Sequence, residues 1–452
     1  MTATQDLVAP TAYTPTSSPT AESSPDRRWH PATLVAFRFC FVYFGLYVVL
    51  TQMIQGIIAI PKLDFPELGT LAPLRAPVSW VGAHVLGIAK PFPHALTGSG
   101  DRTFDWVQSF TFLLVAAVAT IVWSAAARHR ANHTRLYAWF RLFLRIALGT
   151  TMLTYGFIKL IPLQMPAPTL GRLLEPFGNF SPMGVLWASI GASRPYEMVV
   201  GTAEVMGGLL VMIPQTSRIG AILCLVDAAD VLALNMTYDV PVKLFSFHLV
   251  LMSIFLLAMD ARPLVNLFLL GRADALRPEP AVAKSPRGRR ISTIAQIVFT
   301  GYVATLFAWG NAKSWTQYGG GAPKPPLYGI WEVGEMTVDG VSRPALLGDT
   351  LRWRRTYVQR AGQMAIQRMN DSVYGYVAKL DTTAKTIALT FARDSTLPKQ
   401  TLTYSRPDAD HLMLDGLFFG HTVHAEAKLR PANTFLLTTR GFHWVQEVPF
   451  NR

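Results

Sequence analysis

Long apolar runs dominate the first two thirds of the chain, and their lengths decide the fold class. A helix needs about 20 apolar residues to cross the roughly 30 Å of hydrocarbon in a bilayer. Seven runs approach or exceed this length and predict transmembrane helices: residues 34–60, 103–124, 136–161, 196–213, 219–234, 243–259 and 294–310. A shorter run at 76–88, which prolines flank, predicts an interfacial helix or a re-entrant turn.

The pattern changes after a linker rich in Gly and Pro at 319–326. Short alternating runs such as 386–391 follow, and turn pairs such as Asp339-Gly340 separate them. An apolar period of two with tight turns is typical of antiparallel strands. We expect about eight strands within residues 328–444, which form either a closed barrel or an open sandwich.

The β-rich segment begins with Gly329-Ile330-Trp331 and carries Arg440 near its end. This pattern resembles the Gly-x-Trp entry of lipocalin-like barrels, in which a late arginine packs over the tryptophan. The resemblance implies that Arg440 covers Trp331. Because barrels of eight strands are often filled by their own side chains, we expect a packed interior, with a cavity for an apolar ligand as the alternative.

Composition supports a lipid environment for the helical part. Half of the 452 residues are hydrophobic and only 15% are charged, whereas a soluble chain carries about a quarter charged residues. The net charge of +13 is divided among the segments between apolar runs, a distribution that argues against nucleic-acid binding. Cys40 and Cys224 both lie inside apolar runs, so the sequence predicts no disulfide framework, no CxxC redox pair and no thiolate metal site.

Basic residues between the apolar runs predict the orientation, because Arg and Lys concentrate in cytoplasmic loops. They cluster at 27–28, 128–135 and 262–290, which places these three segments in the cytoplasm. We expect Arg141 and Arg145 to snorkel at the same side. With seven spans, the amino terminus is then cytoplasmic and the β-domain lies outside the cytoplasm.

Five segments are expected along the chain. The first, residues 1–33, is rich in Ser, Thr, Pro and Ala and has no apolar core, so it predicts a disordered cytoplasmic tail and not a signal peptide. The others are two helices with their outer loop (34–135), a four-helix membrane domain (136–270), the basic loop with the last helix and the linker (271–326), and the extracytoplasmic β-domain (327–452).

Ionisable side chains at bilayer depth carry the main functional signal, because each costs several kcal/mol unless it is paired or faces water. Glu204 lies between Gly201 and Gly208 on one helix face, where the glycines allow close backbone approach. Asp227 and Asp230 share a face of the next helix. With these faces turned inward, a polar cluster forms a cavity that opens to the outside and binds a polar head group or moves protons: Lys159, Glu204, Asp227, Asp230, Asn235, Lys243 and His248.

Members of this cluster also have structural interpretations. Lys159 and Lys243 fit anchors that snorkel at the interface, and Glu204 fits an interhelical hydrogen bond. His248 stands alone, so the sequence predicts no haem or metal site. Two acids on one helix face are hard to justify by packing, which favours a functional role for Asp227 and Asp230.

Residues 141–270 resemble the DoxX family of four-helix membrane proteins, through Gly-Phe-Ile-Lys-Leu at 156–160 and the helix of Glu204. Residues 238–249 and the ending from Arg440 onward are similar to segments of larger bacterial DoxX-like proteins with extra amino-terminal helices. The resemblance implies a four-helix bundle in a bacterial cytoplasmic (inner) membrane. DoxX relatives include a small subunit associated with a thiosulfate:quinone oxidoreductase, which makes quinone the candidate cofactor. A looser similarity reaches the membrane domain of vitamin K-dependent carboxylases.

Functions from different classes follow from the cluster and the resemblance. The first is a quinone- or lipid-facing subunit of a membrane redox system, in which the cluster handles protons while a bound quinone or a redox partner protein carries electrons. The second is a lipid or small-solute binding or transport protein with the β-domain as lid or receptor. The third is an envelope scaffold without catalysis. No nucleophile and base pair, phosphate loop or metal-ligand spacing stands out, so no catalytic residue is assigned.

Overall fold

The structure is a computed structural model that describes residues 28–61, 63, 65–88 and 97–451. Its α-helices are α1 (Pro31–Leu50), α2 (Met53–Ile58), α3 (Ala72–His84), α4 (Thr103–Ala126), α5 (Thr134–Leu160), α6 (Leu170–Leu174), α7 (Pro182–Gly191), α8 (Arg194–Met212), α9 (Ser217–Thr237), α10 (Lys243–Leu257), α11 (Ala261–Leu270), α12 (Pro286–Gln317) and α13 (Leu436–Thr439). The β-strands are β1 (Gly329–Val338), β2 (Val341–Ser342), β3 (Trp353–Val358), β4 (Gln363–Arg368), β5 (Val373–Asp381), β6 (Thr386–Phe391), β7 (Gln400–Ser405), β8 (His411–Phe418) and β9 (His421–Arg430). The predicted disordered tail at 1–33 lies mostly outside the described residues, and its last three residues already belong to α1.

Six helical segments in the described part of the chain are long and apolar enough to cross a membrane. They are α1, α4, α5, α9, the continuous segment Lys243–Leu270 that joins α10 to α11, and α12. In α12 only 11% of the most apolar stretch is buried, so this helix turns apolar side chains outward on nearly all sides. Exposed apolar surface of this extent is compatible with a membrane protein.

The predicted seventh span falls on α8, which is more polar than the six. Its 19 residues include two glutamates and three glycines, which lower its hydropathy. α8 packs against α9 and runs antiparallel to α5 along its whole length. A Cβ atom on Gly201 would lie 2.3 Å from the Leu160 nitrogen, and one on Gly149 would lie 2.2 Å from the Met212 side chain. The backbones of α5 and α8 approach this closely because glycine stands at both contacts.

Helix ends depart from the predicted spans at two places. The predicted helix at 34–60 is interrupted at Thr51, whose backbone is extended and whose hydroxyl donates to the Tyr47 carbonyl at 2.7 Å. The residues after this break form the separate α2, so the prediction of one continuous helix is wrong. The last apolar helix, α12, begins earlier than predicted because the Ser285 hydroxyl accepts a hydrogen bond from the Gly288 amide at 3.1 Å.

α3 and α7 also lie outside the six apolar segments. α3 covers most of the run at 76–88 and contains Pro77, so this run is a helix and not a turn. α7 occupies the segment after α5, where the apolar pattern predicts only a loop. The Ser181 hydroxyl accepts from the Gly184 amide at 3.1 Å and caps the start of α7.

Arg141 and Arg145 of α5 are buried and do not snorkel, which corrects the prediction for both. Arg145 donates to the carbonyls of Val211 and Met212 at 2.8 and 2.7 Å, where the end of α8 leaves carbonyls without intrahelical partners. Arg141 donates to both oxygens of the Glu279 carboxylate, at 3.0 and 2.9 Å. These acceptors compensate the burial of the two charges, and the arginines therefore tie neighbouring segments together.

The β-domain is a closed antiparallel barrel of eight long strands, which decides between the barrel and the open sandwich. The strands pair in the order β1, β3, β4, β5, β6, β7, β8 and β9, and β9 pairs again with β1. β2 is a two-residue strand that pairs with the end of β1. The barrel centre is filled by large apolar side chains that are at most 1% exposed, among them Trp331, Trp353, Leu389, Leu402 and Leu414.

The start of the barrel confirms the glycine but not the arginine of the lipocalin-like pattern. Gly329 has a φ of +143°, and a Cβ there would lie 2.5 Å from the Leu429 side chain, so glycine is required. The guanidinium over Trp331 belongs to Arg406, at 5.2 Å from the ring. Arg440 instead lies over the Phe450 ring at 4.7 Å, because the strands end at β9 and the later residues form no strand. The assignment of Arg440 to this contact is therefore wrong.

The barrel attaches to one end of the helical bundle, which we call the barrel end. α5 and α9 end there, α8 and α10 begin there, and α12 ends there before the linker to β1. The Gln359 side chain accepts a hydrogen bond from the Leu170 amide of α6 at 2.7 Å. The Tyr357 hydroxyl lies against Gly171 in the same short helix. The barrel thus contacts the segment between α5 and α8 directly.

Candidate functional site

A cavity of about 100 Å³ lies near the barrel end, between α5, α8, α9 and α10. The segment between α5 and α8, which includes α7, and the turn between α9 and α10 contribute the remaining parts of its wall. Five of the residues predicted to form a site line this cavity: Lys159, Glu204, Asp227, Asp230 and Asn235. We call it the acidic cavity.

Lys159 and Glu204 form a buried ion pair in the wall of the acidic cavity. The Lys159 ammonium lies 2.6 Å from Oε1 and 2.7 Å from Oε2 of Glu204. Only 5% of Lys159 and 3% of Glu204 is exposed, so Lys159 does not snorkel at an interface. The close approach of α5 and α8 at Gly156 and Gly201 brings the two side chains together. Each charge offsets part of the desolvation cost of the other.

Three further oxygen atoms of the lining residues are buried and accept no hydrogen bond from any described residue. They are Oε2 of Glu197, Oδ2 of Asp227 and Oε1 of Gln164. Glu197 is 0% exposed, and its Oε1 accepts from the Met165 amide at 2.9 Å. A buried acceptor without a donor costs about 1–3 kcal/mol, and more when it is charged. Buried acceptors of this kind are satisfied by an ordered water, an ion or a ligand that donates hydrogen bonds.

The lining of the acidic cavity carries more acid than base. Glu197, Glu204, Asp227 and Asp230 supply four carboxylates, and Lys159 is the one base among the described residues that line it. Lys159 pairs with Glu204, and within the described ranges the other three carboxylates form no ion pair. Like charges held together in a low-dielectric interior repel each other, so the cavity attracts cations or protons.

Aromatic side chains complete the wall. Tyr155 lines the cavity with its ring 5.9 Å from the Lys159 ammonium. Trp187 of α7 also lines it, and its indole nitrogen donates to the Gln164 carbonyl at 3.1 Å. This hydrogen bond holds the covering segment in place. Aromatic faces attract cations, so these two rings add to the preference of the carboxylates for a cation.

The acidic cavity reaches the molecular surface between α8 and α9. Tyr196 of α8 and Asp230 of α9 both line the cavity and are exposed. The same two helices expose apolar side chains nearby, with Val199 66% and Val226 60% exposed. A molecule that enters here therefore approaches across an apolar surface and meets an acid at the opening.

His248 lies away from the acidic cavity. Its Nδ1 donates to the Leu244 carbonyl at 2.7 Å, which leaves Nε2 to accept from the Tyr43 hydroxyl at 2.7 Å. Its ring also stacks on Tyr47 at 3.7 Å between ring centres. Ser246 lines the cavity, and two residues further along a helix the side chain points to the opposite face. His248 therefore packs against α1.

Lys243 also lies outside the acidic cavity. Its ammonium is 2.8 Å from the carboxylate of Asp239 and 3.8 Å from that of Asp101. The Asp101 carboxylate accepts hydrogen bonds from the amides of Lys243 and Leu244 at 2.9 Å each, and so caps the start of α10. Lys243 therefore has a structural role at the start of α10.

Glu197 and Gln164 are site residues that the apolar pattern does not single out. Glu197 lies seven residues before Glu204 and hence two helical turns away on the same face, so the helical period would have revealed it. Gln164 comes from the segment after α5, and no local pattern indicates that this segment folds over the bundle. In the described part of the chain, no group of three or more His, Cys, Asp or Glu side chains could hold a metal ion.

Comparison with known proteins gives a match to part of the chain. The chain is similar to a protein of Bacillus subtilis (strain 168) named "Uncharacterized protein YwoB", with 28% identity over 131 residues. The aligned part covers 29% of this chain and 80% of the relative. No family model matches the chain, and no solved structure matches it. The name of the relative carries no activity, so the geometry of the acidic cavity has to carry the functional argument.

Proposed function

We propose that this chain is an integral membrane protein with seven spans, the six apolar segments and α8. The antiparallel packing of α8 against α5 along its length supports the seventh span, because both helices cover the same depth. The basic loops support a cytoplasmic location for the end opposite the barrel. The barrel then lies outside the cytoplasm. α5, α8, α9 and α10 surround the acidic cavity, which agrees with the DoxX-like four-helix bundle inferred for residues 141–270.

The function that we propose is binding of a polar head group of a membrane amphiphile in the acidic cavity. The observation that carries it is the set of three buried oxygen acceptors without donors at Glu197, Asp227 and Gln164. Such acceptors are satisfied by a molecule that donates hydrogen bonds. The opening between the exposed apolar residues of α8 and α9 supports entry from the bilayer, because an amphiphile keeps its tail in the hydrocarbon.

A quinone-facing role in a redox system is the second candidate. The unpaired carboxylates of Glu197 and Asp227 favour it, because carboxylates accept the protons that a hydroquinone releases on oxidation. The volume argues against a whole ring inside the cavity. A cavity of about 150 Å³ holds benzene, and the acidic cavity has about 100 Å³. Only a small arm of a lipid head group has to enter the cavity, so it fits better than a quinone ring. The redox partner protein is part of the second candidate only.

Native mass spectrometry of the full chain in detergent tests the proposed function. We expect an amphiphile to copurify with the wild type, and Glu197→Gln and Asp227→Asn to retain at least about tenfold less of it, because one lost charged hydrogen bond amounts to about 1.5–3 kcal/mol. Asp239→Asn is the matched control, since this carboxylate is exposed and outside the cavity. Absence of any amphiphile, or equal retention in all four proteins, would overturn the proposal.

A further inference from the structure

We propose that the acidic cavity is selective for a primary ammonium head group, such as the ethanolamine head group of a phospholipid. This inference rests on the proposed function, because it names the chemical class of the head group that the cavity binds. It follows from the hydrogen-bond donors and charges of the lining residues and from the volume of the cavity.

The first step concerns hydrogen-bond donors. Three side-chain donors of the lining are already engaged with protein acceptors. Lys159 donates to Glu204, Trp187 donates to the Gln164 carbonyl, and Asn235 donates to Ser246 at 3.0 Å. The buried oxygens of Glu197, Asp227 and Gln164 still lack donors in the described lining, and a primary ammonium supplies N–H donors. A ligand made only of acceptors, such as a phosphate group, would leave these oxygens unsatisfied.

The second step concerns charge. With the Lys159–Glu204 pair compensated, the acids at 197, 227 and 230 have no cationic partner among the described residues. An ammonium supplies that charge, whereas an anionic head group would be repelled. A quaternary ammonium carries the same charge without any N–H donor, so it satisfies the charge but not the buried oxygens. The cavity should therefore distinguish primary from quaternary ammonium.

The third step concerns size and access. A space of about 100 Å³ is smaller than the roughly 150 Å³ that hold benzene, and it suits a two-carbon ammonium arm better than a ring. The exposed acid Asp230 lies where the cavity reaches the surface between α8 and α9. A cationic arm meets this carboxylate first, while the rest of the lipid stays outside against the apolar faces of the two helices.

A series of phospholipids with identical acyl chains tests the inference on the full chain in detergent. The head groups are ethanolamine, its mono- and dimethyl derivatives, choline and glycerol, and a short-chain hydroquinone is added separately. By native mass spectrometry we expect retention to fall with each methyl group, and the choline lipid to be held at least about tenfold more weakly than the ethanolamine lipid. Glu197→Gln should remove this preference, and Asp239→Asn should leave it unchanged.

The outcomes separate the inference from the proposed function. Equal retention of the ethanolamine and choline lipids, with both lost in Glu197→Gln, would overturn the ammonium preference and leave head-group binding intact. Preferred retention of the glycerol lipid would do the same, whereas preferred retention of the hydroquinone would overturn both proposals in favour of the quinone-facing role. If no amphiphile is retained, both proposals fail. Free ethanolamine in millimolar excess should not displace the lipid, and displacement would mean that the cavity takes soluble amines instead.

Discussion

The helical bundle and the β-barrel differ in the charged side chains that they bury. In the bundle, the ion pair of Lys159 and Glu204 is buried, and carboxylates without partners lie beside it. In the barrel, a pair such as Asp339 and His421 lies on the exposed surface, and the centre is filled by apolar side chains. The barrel also buries charge, because Arg352 is 3% exposed and donates to the carbonyls of Arg343 and Gly334. Among the described residues, the buried carboxylate oxygens without donors lie in the bundle, where they cost free energy.

This difference locates the function that we propose in the bundle. A barrel centre filled by side chains such as Trp353 and Leu402 has no room for a ligand. The bundle keeps buried carboxylate oxygens that its own donors do not satisfy, which is a property expected of a binding site. The barrel contacts the covering segment through Gln359 and Leu170, so we assign it the role of a support for that cover.

Removing one partner of the buried pair tests the bundle side of the comparison and has the largest expected effect. Lys159→Met leaves the Glu204 charge uncompensated, so we expect the free energy of unfolding to fall by about 3–5 kcal/mol. The control is Lys243→Met, because its pair with Asp239 is exposed and contributes about 1 kcal/mol or less. Denaturant titration in detergent measures both, and similar losses would remove the contrast between buried and exposed pairs.

Truncating an apolar side chain tests the barrel side. Leu402 is 0% exposed in the barrel centre, and Leu402→Ala should lower the free energy of unfolding of the barrel by about 2–5 kcal/mol. Hydrogen exchange on the full chain should become faster in the strands and stay unchanged in α5 and α8. Leu417→Ala, on the exposed surface of β8, is the control. Faster exchange in α8 as well would show that the two regions unfold as one unit.

A methyl group at the contact of α5 and α8 sharpens the comparison, because it disturbs the bundle without changing any charge. A Cβ on Gly201 would meet the Leu160 nitrogen at 2.3 Å, so Gly201→Ala must separate the helices and should cost about 1–3 kcal/mol. Gly310→Ala in α12 is the control, because nothing lies within 4 Å of its Cβ. If Gly201→Ala and Gly310→Ala have the same free energy of unfolding, α5 and α8 do not pack closely at Gly201.

The pattern of apolar and polar residues predicts much of the fold, and the limits of this pattern explain the errors. Apolar length predicts seven spans, and six of them are apolar segments long enough to cross a membrane in the structure. Alternation with tight turns predicts the strands of the barrel. Thr51 ends α1 early because its hydroxyl satisfies a carbonyl locally, which a hydropathy pattern does not register. The position of Arg440 near the end of the chain predicts that it covers Trp331. The last strand ends at Arg430, however, and Arg406 makes the contact with the Trp331 ring.

The candidate site depended on tertiary contacts that are not local in sequence. Spacing on α9 placed Asp227 and Asp230 on one face, and both line the acidic cavity. The same rule, applied to α10, would have separated His248 from Ser246, since residues two apart point to opposite faces. Gln164 reaches the cavity only because the segment after α5 folds back over the bundle. No pattern within that segment predicts such a return.

The smallest expected effect concerns the exposed Asp415 and His424 pair of the barrel, the counterpart of the buried pair in the bundle. The hydrogen bond to Asp415 raises the pKa of the His424 imidazole, so the pair stabilises the barrel fully below about pH 6.5, the unfolded value, and the contribution is lost as the pH rises through the folded pKa. Solvent screening keeps this contribution below about 1 kcal/mol. The destabilisation by Asp415→Asn should therefore be larger near pH 5.5 than near pH 8.5, as measured by denaturant unfolding at about these two values.

Asp381→Asn is the control that decides whether His424 is responsible. Amide hydrogen bonds from Ala384 and Thr383 lower the pKa of the Asp381 carboxyl, so its contribution is present above about pH 3.9 and is lost only as the pH falls through the folded pKa. Its effect should thus be equal at the two pH values. If Asp415→Asn also shows no difference between them, the surface pair contributes nothing through ionisation, and the contrast with the buried Lys159–Glu204 pair becomes complete.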